Sequence, residues 1–217
     1  MKMHIAAILA VTSSFCMLGS ADAADTPAAA ASAPAASPHA AGGHGLPANA
    51  QPPKPLPKQD KLTVRGWSSP APAAWTPVEP ASAMRAAQFI LPGASGKADE
   101  DGEMVVYFFP TGDGGSQDAN IQRWTAEVTD AAGKPVKPTV STSKNAMTKV
   151  TLVSLQGAYT RGANMLPGAQ RKAGQTLMVA MVETTIGRIT LQAYGPSKTV
   201  AAHRDSFLKL ANGFAPG

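Results

Sequence analysis

Six apolar side chains in a row, Met104-Val105-Val106-Tyr107-Phe108-Phe109, stand at the centre of the hydrophobic pattern. Strand side chains alternate between two faces, so an unbroken apolar run predicts a strand covered on both. Residues 176–184 read the same way, whereas 188–194 alternate polar with apolar, as a less covered strand does. The short connection Thr185-Ile186-Gly187 makes those two a hairpin. Further strand signals lie at 62–67, 84–91 and 149–155, and the polar loop 94–102 pairs 84–91 with the central run. Pro70, Pro72, Pro77 and Pro80 are expected to keep their segment out of regular structure, with Trp75 as its packing anchor.

Helical spacing appears twice. Ile121, Trp124, Thr125 and Val128 form one stripe, entered through Thr111-Gly112-Asp113-Gly114-Gly115-Ser116 and stopped at Gly133-Lys134-Pro135. Ser116 suits the N-cap, and Asp118 suits the positive end of the helix dipole. Val200, His203, Phe207, Leu210, Ala211 and Phe214 form the other stripe, after Pro196. Residues 134–147 are polar and carry no element signal, and 157–174 read as a glycine-rich loop. The resulting order, β-β-β-α-β-β-β-α, predicts an α+β fold: a mainly antiparallel sheet of about six strands with two packing helices, an α/β/α sandwich.

Composition divides the 217 residues into three parts. Residues 1–23 read as a signal peptide: Lys2, an apolar run over 5–17 and small residues at Ala21-Asp22-Ala23. A lipoprotein signal would need a small residue before Cys16, and Phe15 stands there, so the reading is cleavage near Ala23 and a periplasmic or secreted chain with no transmembrane segment. That cleavage also removes the one cysteine, and with it thiol chemistry. Residues 24–61 are an Ala/Pro-rich linker too poor in apolar side chains to order itself, and its His39 and His44 make at most a weak soft-metal site. The domain is expected over 62–217, with 44% apolar residues in the whole chain to build a core.

The formal charge of +5 is spread without basic runs or aromatic platforms. It reads first as a mildly basic solvated surface, could also draw the chain to an acidic protein partner or an anionic envelope component, and does not suggest nucleic acid.

Taken with this order of elements, Trp75-Thr76-Pro77, Met84-Arg85-Ala86-Ala87-Gln88-Phe89, the Gly-Gly-Ser helix start and the stretch from Gly195 to Arg204 resemble the PsbP-like sandwich. They resemble more closely small exported bacterial proteins that share this plan. The resemblance spans about residues 62 to 215. It implies an accessory protein that binds a larger assembly rather than an enzyme. No photosynthetic role is implied, and none of that family's functional residues can be placed on this chain.

The residues themselves supply no catalytic constellation, metal motif or cofactor motif. Gly114, Gly115 and Ser116 could hold an anion on a helix N-terminus, although no P-loop lysine follows and Asp113 would repel it. That is the small-ligand alternative, set against a tight turn capped by Ser116. In the 157–174 loop, Tyr159, Arg161, Asn164, Arg171 and Lys172 are the candidate partner contacts. His203, on an apolar stripe, reads as a hydrogen-bonded structural histidine. Asp99, Glu100, Asp101 and Glu103 read as a solvated loop without EF-hand spacing.

Overall fold

The computed structural model describes residues 53–163 and 169–217. Residues 1–23, read above as a signal peptide, nearly all of the segment read as a linker with both its histidines, and Asn164 lie outside them. In chain order the elements are β1 (Lys61–Val64), β2 (Trp67–Pro70), β3 (Thr76–Val78), β4 (Ala87–Leu91), β5 (Gly102–Pro110), α1 (Gln117–Glu127) and β6 (Thr139–Lys144). Then follow β7 (Lys149–Tyr159), β8 (Lys172–Thr184), β9 (Gly187–Pro196), α2 (Ser197–Ala202), α3 (Arg204–Asn212) and β10 (Ala215–Pro216). The described strands make a seven-stranded antiparallel sheet, ordered β3-β4-β5-β9-β8-β7-β6, and a small sheet, β1-β2-β10. The fold is α+β, as its hydrophobic pattern predicts.

Register sorts the core into two halves. Met178, Ala180 and Val182 of β8 stand opposite Ala193, Leu191 and Ile189 of β9, and their face packs against Val200, Phe207, Leu210 and the small sheet's Leu62, Val64 and Trp67. The alternate residues Leu177, Val179 and Met181 point to the other face, where Trp124 and Val128 join Val153 and Leu155. Helices α2 and α3 with the small sheet therefore cover one side, and α1 covers part of the other. Ser69 donates to the Leu210 carbonyl at 2.8 Å, tying β2 to the last turns of α3.

Six features differ from the sequence reading. The signal at 62–67 is a hairpin, turning at Arg65 (φ 50°) and Gly66 (φ 81°), a pair of positive angles that suits a two-residue connection. Pro70 and Pro77 lie inside β2 and β3. Proline fits there because both strands are short and β3 is at the sheet margin, where Leu56 N–H donates to the Pro77 carbonyl at 2.8 Å. That bond and the Pro55–Val78 bridge also bring the chain onto the sheet before residue 62. The polar stretch contains β6, all six residues exposed, held by pairing with β7 rather than by burial. β7 and β8 run on to the pair Tyr159–Lys172, past a register shift between Gly157 and Tyr159, so the loop between them is shorter than 157–174. Finally, the C-terminal helix divides at His203 (φ −96°, ψ 2°) into α2 and α3.

His203 holds that joint in place. The indole of Trp75, 1% exposed, donates from Nε1 to His203 Nδ1 at 3.1 Å. Tryptophan can only donate, so Nδ1 is the acceptor and Nε2–H donates to the Pro92 carbonyl at 3.0 Å. The neutral imidazole thus satisfies both neighbours. Replacing it in a His203→Leu variant leaves a buried indole N–H unpaired, at an expected cost of about 1–3 kcal/mol in urea unfolding. A change below about 0.5 kcal/mol, the scale of an ordinary surface substitution, would show that the bond does not hold the joint.

Candidate functional site

The side of β9 that faces α1 is polar. Thr190, Gln192 and Tyr194 alternate there with the apolar residues of the other core, and register sets them opposite Tyr107, Val105 and Glu103 of β5. Two groups from outside the strands complete a cluster on this surface. Arg85, from the turn before β4, donates through NH1 to Glu103 Oε1 and to Gln88 Oε1, each at 2.7 Å. Its side chain is 4% exposed, so the ion pair with Glu103 is largely dry on the arginine side. Glu103 Oε2 accepts from the Tyr194 hydroxyl.

Arg161 comes from the connection between β7 and β8. Its guanidinium carbon lies 4.8 Å from the centroid of the Tyr194 ring and 5.8 Å from that of Tyr107. Its NH2 donates to the Tyr107 hydroxyl and, at 3.3 Å, to Gln192 Oε1. Its Nε and NH1 are shielded from solvent and have no hydrogen-bond partner. Tyr159 closes the group, edge-on to Tyr194 with ring centroids 5.8 Å apart.

Glu127, the last residue of α1, lies at the border of the cluster. Burial pushes its carboxyl above the usual carboxylate range, and the nearby Arg123, Arg161 and Arg171 pull it back only in part. Burial also raises the Tyr159 hydroxyl, with Glu127 adding to the effect, so this tyrosine stays neutral. Arg171 Nε donates to the Glu127 carbonyl at 2.9 Å, pinning the loop to the end of the helix.

Of the candidate contacts, Tyr159, Arg161 and Arg171 converge here, while Lys172 is exposed at the start of β8 and its N–H donates to Thr160. The sequence reading missed Arg85, Glu103, Tyr107, Glu127, Gln192 and Tyr194. The polar phase of 188–194 was the available signal for the last two.

Gly114, Gly115 and Ser116 lie near the other end of β9, where Arg188 NH1 donates to the Gly115 carbonyl at 3.0 Å. Ser116 is the N-cap of α1 and accepts from Ala119 N–H at 3.2 Å. Asn120 Nδ2 donates to the Gly114 and Ser116 carbonyls at 2.7 and 2.8 Å. Gly114 has φ 79°, and a Cβ there would run into the Phe109 ring. These contacts account for the turn as a helix start. The acidic loop is dispersed: Asp101 accepts from Gly93 N–H at 2.7 Å, and Glu103 turns to Arg85. Among the described residues no three His, Cys, Asp or Glu side chains are placed to share a metal ion, and no helix is long and apolar enough to cross a membrane.

No protein-family model and no curated protein matches the chain. Among solved structures, it is similar to the solution structure of cyanobacterial PsbP (CyanoP) from Synechocystis sp. PCC 6803, with a TM-score of 0.45 and 13% identity. The match covers 80% of this chain and 98% of that one.

Glu127 gives a stability test with a definite sign. Its folded-state pKa is raised, so its contribution is fully present below the unfolded value near 4.5 and is lost as pH rises through the folded value. Glu127→Gln should therefore raise Tm at neutral pH, and the gain should shrink to nothing below about pH 4. Thermal melts of both proteins across this range check it; a variant less stable at neutral pH would mean that attraction to the arginines outweighs burial.

Proposed function

We propose that the chain is an exported accessory protein that docks on a larger envelope assembly through the face carrying Arg161. The observation behind this reading is the guanidinium itself, set against Tyr107 and Tyr194 with Nε and NH1 shielded and unpartnered. Buried N–H groups are almost always paired in a finished interior, and exceptions call for a reason. A partner that supplies the missing acceptors is such a reason, and arginine and tyrosine are residue types enriched where proteins meet. The signal sequence and linker fit a domain held on a tether outside the cytoplasm.

Cross-linking the mature chain in its native cell envelope, followed by mass spectrometry, tests the reading. One abundant partner should be recovered with the wild-type chain and reduced roughly tenfold with Arg161→Gln, the scale of a contact worth about 1.4 kcal/mol. Equal recovery with a folded Arg161→Gln variant would remove this face from the docking surface.

A further inference from the structure

The Arg161 cluster holds more donors than acceptors. Tyr107 and Gln192 occupy NH2, which leaves one N–H at Nε and two at NH1 without a partner. The carboxylates of the cluster lie among arginines. Arg85 and Glu103 answer each other, whereas Arg123, Arg161 and Arg171 all act on the single carboxylate of Glu127.

Resting on the docking reading above, we propose that Arg161 receives a carboxylate from an acidic segment of the partner protein, in competition with Glu127. The cluster already accommodates carboxylates, Glu103 on Arg85 and Glu127 among three arginines. A planar guanidinium matches that group through parallel N–H bonds. Nε and NH1 are shielded while the residue as a whole keeps part of its surface in solvent, so an incoming carboxylate reaches those N–H groups only if the side chain turns outward from the tyrosines.

Glu127 sets the strength of the contact. The groups facing it are Arg123 on α1, Arg161 and Arg171 on the β7–β8 connection, and Tyr159 on β7; Tyr107 and Glu103 of β5 act on Tyr159 in turn. Burial holds the Glu127 carboxyl above the usual carboxylate range, so falling pH neutralises it earlier than an exposed carboxylate. Ionised, it occupies the field of the arginines; protonated, it releases that field to the incoming carboxylate. Docking should therefore tighten as pH falls.

Fluorescence anisotropy with a labelled hexaglutamate peptide, and hexaglutamine as the uncharged control, tests this at about pH 5.5 and about pH 7.5, where the peptide's carboxyls are mostly ionised. The full mature chain should bind hexaglutamate more tightly at the lower pH. Glu127→Gln should bind it about five- to tenfold tighter at the higher pH and lose most of the pH dependence, as removal of one neighbouring negative charge implies. Arg161→Gln should lose at least as much affinity at both values, while Lys149→Gln, at the far end of β7 from Tyr159, should bind as wild type. Equal binding by Arg161→Gln and Lys149→Gln would overturn the site, and an unchanged pH dependence in Glu127→Gln would overturn the competition. If envelope cross-linking depends on Arg161 but hexaglutamate does not bind, the docking reading stands and the carboxylate is wrong; if neither depends on Arg161, both fall.

Discussion

A sheet whose inner strands bury both faces needs two covers, and the two available here are unequal. Met178, Ala180 and Val182 on one side of β8, and Leu177, Val179 and Met181 on the other, are all at most 2% exposed. The first side is covered by α2, α3 and a three-stranded sheet. The second relies on α1, a helix of 11 residues. A helix is about 10 Å across and strands are about 4.8 Å apart, so one helix shields roughly two strands. It shields β7 and β8. The surface of β9 and β5 beyond it has to be completed by other means.

Tyrosines, arginines and carboxylates complete it. Tyr107 and Tyr194 bury large rings while their hydroxyls bond outward, to Arg161 and Glu103. The arrangement leaves shielded N–H groups on both arginines, since Arg85 Nε also lacks a partner. The region of the sheet that α1 cannot reach is thus the region where polar groups are least satisfied. Packing geometry and the candidate site share one cause.

Much of this was legible in the chain. The apolar runs at 104–109 and 176–184 announce two-sided burial, and β5 and β8 are strands with buried residues on both faces. Ser116 caps α1, and His203 is held by hydrogen bonds. Where burial is not what makes an element, periodicity carries no sign of it: β6 has no buried residue, β3 is three residues long, and β10 two. The site was half legible. Tyr159, Arg161 and Arg171 stand out in a polar loop, but Tyr107 is hidden in an apolar run, and Glu103 belongs visually to an acidic loop. Only the register of β5 against β9 sets Glu103 beside Tyr194.

The two margins of the large sheet are finished differently. At β3 the chain itself lies alongside, through Leu56 and the Pro55 bridge. At β6 a row of backbone donors and acceptors faces outward over Thr-Val-Ser-Thr-Ser-Lys, the kind of border at which folded proteins join into fibres. Hydroxyls keep that border wetted, Lys144 adds charge at its end, and the bond from Ser143 to Asn212 fixes it against α3. Resistance to self-association at high concentration therefore depends on hydration of a few serines and threonines, and it weakens if that border is made more apolar.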